Sequence, residues 1–343
     1  TTVADSITIP PGYKIVSING PATSRALHVL TGEREMPIAR KAFQSWKSMA
    51  DQITPDVVDY AMTFAQVPPI FIDDISESYT TFIDQFLAGE WVNSIGIATT
   101  GMIQNIEKFT DKKWGTTPKT IAQRQLKNLV DEYYAGRWTP EFPVEFPDLE
   151  RRMSAWINAE AIAEKTNFTQ QQLITTRQVI HRGVVEQGIN GKDLAWQLKE
   201  TCGLTPFQEE RLAKYRAALV DEGVTADGVR QGTAKYATTM RKQRALAIGR
   251  TELARSYNYA NQETIIEAVD QAVLVEKVDK KWYASSDERV CELCQDLHGK
   301  IVGLREVWIR KDKKTGKETT TGETPPAHAM CRCIVIYETI RRM

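Results

Sequence analysis

Apolar positions along the chain change period twice, and the changes divide it into a helical body and a short β-rich end. From Arg34 the spacing is helical: Ile38, Phe43, Trp46 and Met49 recur every three to five residues. Thr54-Pro55 then supplies an N-cap and a first-turn proline for a helix running to about Val67. Pro68-Pro69 breaks the chain, and Ile75 to Phe109 reads as one long helix or two shorter ones, with bends expected at Gly89, Gly96 and Gly101. Thr117-Pro118 opens a further helix. Gly136 to Pro147 is too rich in proline for a helix and predicts a connector.

Beyond the connector, the pattern predicts one helix over 149–165 and another over 173–185. Thr169 and Gln172 stand at capping-box spacing before the second of these. A short helix over 194–202 ends at Gly203. Thr205-Pro206-Phe207-Gln208 then starts the next, with Leu212, Tyr215 and Leu219 as its expected buried stripe. A long helix follows from Arg230 to Val269. After Asp270 the period becomes two through Val273, Val275, Val278 and Trp282, with further strands expected over 302–309 and 332–337 and a charged hairpin over 311–322.

The fold class expected is therefore mainly α, with long helices joined by Pro/Gly turns and a small C-terminal α+β module of zinc-knuckle type. The expected divisions are an N-terminal arm over 1–30, a helical region over 31–145, a second one over 146–270 and the β-rich module over 271–343. The arm follows from Pro10-Pro11-Gly12 and Asn19-Gly20-Pro21 among β-branched residues.

Composition narrows the possible functions. Apolar residues make up 42% and charged residues 26% of 343 positions, ordinary values for a folded chain. Lys plus Arg number 44 and Asp plus Glu 44, so nucleic-acid binding has to come from a local patch. One such patch stands out: Arg230, Lys235, Arg241, Lys242 and Arg244 are candidate phosphate contacts, set against a solvated helix face as the plainer reading. No signal peptide opens the sequence, and the least polar window, 91–106, falls short of a membrane span, so a soluble protein with no membrane partner is expected. No phosphate loop, nucleophile elbow or zinc-protease helix motif occurs.

Four of the five cysteines lie in the last sixth of the chain, as Cys291-x-x-Cys294 and His328-x-x-Cys331-x-Cys333. Two thiolates from one turn and an imidazole with a thiolate from another are how soft donors surround Zn²⁺ tetrahedrally. The ligand set chosen is Cys291, Cys294, His328 and Cys331. Cys333 is the substitute, because on a strand it faces away from Cys331. His298 is an outside candidate, and a disulfide or plain buried thiols are the alternatives. Four protein ligands leave no open position, so zinc here is structural.

Arg250-Thr251-Glu252 on a helix, then Trp282, Asp287, Arg289, Cys291-x-x-Cys294, Leu297, Gly299-Lys300 and His328-x-x-Cys331-Arg332-Cys333, resemble the phage Mu F-like head morphogenesis family over residues 170–340. The proline usual after the histidine is Ala329 here. The resemblance implies a non-enzymatic minor capsid protein of a tailed phage. It would act in several copies at the portal inside the virion, after assembly in the host cytoplasm, with the portal, the major capsid or scaffolding protein and double-stranded DNA as partners. Arg250, Glu252, Asp287 and Arg289 are expected to form a salt-bridge network docking the long helix on the module. The alternative is an enzyme, a nuclease or transferase, using Arg250, Glu252 and Asp287.

Overall fold

The computed structural model describes residues 13–110, 147–274, 277–285, 290–311 and 318–342. Helices dominate. After strand β1 (Tyr13–Ser17) come α1 (Pro21–Asp51), α2 (Pro55–Phe64) and α3 (Pro69–Phe82), then a π-helical turn (Ile83–Leu87) leading into α4 (Ala88–Thr110). The expected interruption near Gly89 is thus a π turn just before the glycine, while Gly96 and Gly101 are accommodated inside α4. The chain continues with α5 (Pro147–Ile180), a second π turn (His181–Glu186), α6 (Gly191–Thr201), α7 (Pro206–Asp221) and α8 (Ala226–Asp270). The last part holds β2 (Val278–Tyr283), α9 (Glu292–Leu297), β3 (Ile301–Gly303), β4 (Ile309–Lys311), β5 (Glu318–Thr320) and β6 (Ile334–Arg342). The helix expected from Thr117 and the connector over 136–146 lie outside the described residues.

The chain folds into two units, each discontinuous in sequence. The first comprises Thr1–Glu35, Gly89–Ile157 and Ile248–Met343, and the second Met36–Ala88 and Asn158–Ala247. The expected boundaries at residues 30, 145 and 270 differ because α1, α5 and α8 each contribute to both units.

In the first unit, four antiparallel strands run in the order β1-β6-β2-β3, and β4 pairs with β5 in a separate hairpin. Residues 13–30 correct the expected arm. Ile15 pairs with Ile340, and Asn19 extends the ladder, its amide donating to Val335 O at 2.9 Å while its Oδ1 accepts from Tyr337 N at 2.8 Å. Pro21 starts α1 rather than a turn, as a first-turn proline can. Val273 precedes β2 instead of belonging to it. Across the helices of this unit, Arg152 bridges Glu263 at 2.6 Å and Glu267 at 2.7 Å, and Trp156 stacks on Tyr259 with centroids 4.8 Å apart.

In the second unit, local sequence signals work as written. Thr54 caps α2, and Thr205 with Gln208 forms a complete capping box on α7; the short helix begins at Gly191 rather than 194, with Asn190 as its cap. Gly203 adopts φ +81°, and a Cβ there would meet the Trp46 ring at 2.4 Å, so both backbone and space require glycine. Trp46 stacks on Phe168, which stacks in turn on Tyr79.

Three expectations fail in this unit. Residues 149–180 form one helix, because neither glycine nor proline interrupts them. Gln172 does not cap that helix. Its side chain accepts from Gly203 N at 2.9 Å and donates to Leu204 O at 2.6 Å. On α7 only Leu212 of the stripe is buried, packing with Leu204, Ala237 and Met240; Tyr215 is exposed.

Candidate metal centre

The Cys291-x-x-Cys294 turn is built at the start of α9. Cys291 occupies the N-cap, its sulfur accepting from Cys294 N at 3.5 Å, and the helix carries Cys294 and Leu297 inward. Gly299, at φ +80°, turns the chain back so that its N–H donates to Trp282 O at 2.9 Å while Trp282 N donates to Lys300 O at 3.0 Å. This ties the turn to β2. Trp282 is fully buried and meets Trp308 edge-on with centroids 5.1 Å apart.

The His328-x-x-Cys331 turn closes with Cys331 N donating to His328 O at 3.2 Å, and Met330 lies in the left-handed region at φ +66°. Two side chains of α8 hold it. Met330 N donates to Thr251 Oγ1 at 3.0 Å, and the Asn258 amide donates to Cys333 O at 3.1 Å. Thr251 and Asn258 are seven residues apart and therefore on one helix face. That spacing was readable in the sequence, yet only the structure shows what it serves. Replacing Thr251 with valine is expected to reduce affinity for a metal ion at this site about tenfold, the effect of losing an outer-shell support. Competition against a chromophoric chelator measures this; unchanged affinity would leave Thr251 without that role, and Thr251→Ser should behave as wild type.

Five donors converge. His328 Nε2 lies 3.1 Å from both Cys291 Sγ and Cys294 Sγ, and Cys294 Sγ lies 3.7 Å from Cys331 Sγ. The groups Cys291, Cys294, His328 and Cys294, Cys331, Cys333 each keep their ligand atoms within 4.8 Å of one another and could hold a metal. Cys331 and Cys333 do not face apart, which corrects the strand argument: β6 begins only at Ile334, so residues 331–333 lack the alternation of a strand. No disulfide joins these cysteines, which are all free thiols.

Several observations fit a tetrahedral ion. The Cys294–Cys331 separation matches the edge of about 3.8 Å that Zn–S bonds of about 2.3 Å produce. His328 Nδ1 faces Ala329 O at 2.7 Å; a carbonyl only accepts, so Nδ1 carries the proton and the Nε2 lone pair faces the sulfurs. The pocket among them holds about 20 Å³, room for a single ion. The thiols also need a cation to ionise together. Hydrogen bonding from Cys294 and Cys333 holds Cys331 well below the usual thiol range, and the same contact with Cys331 pushes Cys294 far above it. Cys202, by contrast, is buried in the second unit, where desolvation raises it to about 12.

The remaining candidates are placed as follows. His298 Nδ1 accepts from Ala284 N at 3.1 Å, a role in the β2 turn and outside both donor groups. Arg250 is held bidentately by Glu35 of α1, at 2.7 and 2.8 Å, while Glu252 lies 3.6 Å from Arg255. Two positions along a helix are about 200° apart, so Arg250 and Glu252 face different neighbours. Asp287 and Arg289 lie outside the described residues.

Of the basic candidates, Arg230 pairs with Asp193 at 2.7 Å and Arg241 lies over the Phe43 ring. Arg244 donates to Gly203 O at 2.8 Å and Gln171 Oε1 at 2.7 Å. Lys235 and Lys242 are exposed.

Fold and site together define a helical protein carrying a small sheet built around a cysteine- and histidine-rich centre. Residues 175–336 match the family model described as Phage Mu protein F like protein. That segment contains α8 and all five candidate donors, and the match agrees with the resemblance read from the order of Arg250-Thr251-Glu252, Trp282 and the Cys/His turns. Comparisons with curated proteins and with solved structures return no match. Among the described residues, no helix is long and apolar enough to cross a membrane.

Proposed function

We propose that this chain is a non-enzymatic minor head protein of a tailed phage, several copies of which associate with the portal protein inside the head and contribute to head morphogenesis. The family match over 175–336 carries this reading, because the segment includes the whole metal centre. The mechanism is positional. Zinc held by Cys291, Cys294 and His328, with Cys331 or Cys333, locks two turns onto β2, β6 and α8, and the rigid module presents a fixed surface to its partners.

Co-expression with the portal protein of the same phage, followed by purification of heads before DNA packaging, tests the proposal. The chain is expected in heads that contain portal and absent from portal-less particles. Portal-containing heads without it, or equal amounts in both, overturn the reading.

Contact with double-stranded DNA, during packaging or ejection, would fall to Lys235 and Lys242, since the three arginines of the run are engaged within the fold. Replacing both lysines with alanine is expected to lower the slope of log affinity against log salt by about 2 without changing stability. Fluorescence anisotropy on a DNA duplex measures it, and an unchanged slope removes these lysines from the contact.

A further inference from the structure

Cys294 belongs to two donor groups at once, Cys291/Cys294/His328 and Cys294/Cys331/Cys333. The small pocket suits one ion, and a tetrahedral ion takes four of the five donors. One donor is therefore always in surplus. The five are not equivalent: Cys294, Cys331 and Cys333 are 2–3% exposed, whereas Cys291 is exposed at the N-cap of a six-residue helix. Only a 3.5 Å contact from Cys294 N holds the Cys291 sulfur to its own backbone turn, so rotation about one side-chain bond carries it into solvent.

We infer that Cys291 is an exchangeable ligand and an accessible thiol-modification site, with buried Cys333 taking its coordination position when Cys291 leaves. This rests on the metal reading above. The ion then passes from the Cys291/Cys294/His328 side of the cluster to the Cys294/Cys331/Cys333 side, with Cys294 common to both and the remaining donors brought in by side-chain rotation. A soft electrophile reaching the centre from solvent meets the exposed Cys291 sulfur first. With iodoacetamide, the Cys291 sulfur forms a bond to carbon, iodide leaves, and the thiol proton, if present, goes to buffer.

The test uses the full chain and measures zinc per folded monomer in the wild type, Cys291→Ser, Cys333→Ser, Cys294→Ser and the Cys291→Ser/Cys333→Ser double variant. About one equivalent is expected in the wild type and in the single variants at 291 and 333. The double variant and Cys294→Ser are expected to retain little. Limited carboxamidomethylation of the wild type, mapped by peptide mass spectrometry, is expected to modify Cys291 while the zinc stays bound, a readout that needs no variant to fold. Zinc in the wild type but lost from either single variant, or expelled as Cys291 is alkylated, overturns the exchange and leaves the metal reading standing. A wild type without zinc overturns both.

Discussion

Cys294→Ser is expected to unfold the sheet-bearing module at a temperature on the order of 10 °C below wild type and to abolish its response to chelators. Cys294 is the donor common to both groups, 3.1 Å from His328 Nε2 and 3.7 Å from Cys331 Sγ, so neither set survives its loss. A site filled a thousandfold above its dissociation constant contributes about 4 kcal/mol, which corresponds to the stated shift for a unit of this size. Chelation of the wild type should reproduce the variant's melting curve, with faster hydrogen exchange in β2 and β6, the strands that bracket the centre. A variant that melts with the wild type, while the wild type ignores chelators, would show that the ion does not hold the module.

Lys280→Met is expected to flatten the alkaline stability profile. Lys280 is fully buried on β2; its Nζ donates to Gln262 Oε1 at 3.0 Å and to Glu323 O at 2.8 Å, and lies over the Trp308 ring. Burial lowers its pKa from the ordinary 10.5 to about 8. Between these values the unfolded chain binds more protons than the folded one, so stability rises with pH across that window. The penalty is fully present below about pH 8 and relieved above about 10.5, at most about 3.4 kcal/mol at 1.36 kcal/mol per unit. Methionine fills similar volume without charge, so at pH 7 the variant should be at least as stable as wild type. Urea denaturation across pH 7–11 decides it: parallel wild-type and variant profiles would mean that Lys280 keeps an ordinary proton affinity in the fold.

Much of the helical body was legible because its signals act within a turn or two. Thr54-Pro55 and Thr205-Pro206-Phe207-Gln208 cap helices through side chains reaching backbone groups three residues on. Gly203 marks a helix end for the same local reason. Failures came where a local signal met a distant claim on the same residue. Gln172 has capping-box spacing from Thr169, but the turn between α6 and α7 engages its amide. Arg250 pairs with Glu35, 215 positions away, a contact no local signal indicates.

The metal centre divides along the same line. Cys291-x-x-Cys294 and His328-x-x-Cys331 each specify a turn, so four candidate donors and the soft-metal chemistry they suit were readable in the sequence by itself. Admission of Cys333, support from Thr251 and Asn258, and pairing of β1 with β6 were decided only by the tertiary structure. Turns depend on neighbours whose separation the covalent chain already limits. Where β6 begins, which face of α8 meets it, and how residue 15 finds residue 340 depend on closing loops of tens to hundreds of residues, an entropy that only the burial and pairing of the whole unit can offset.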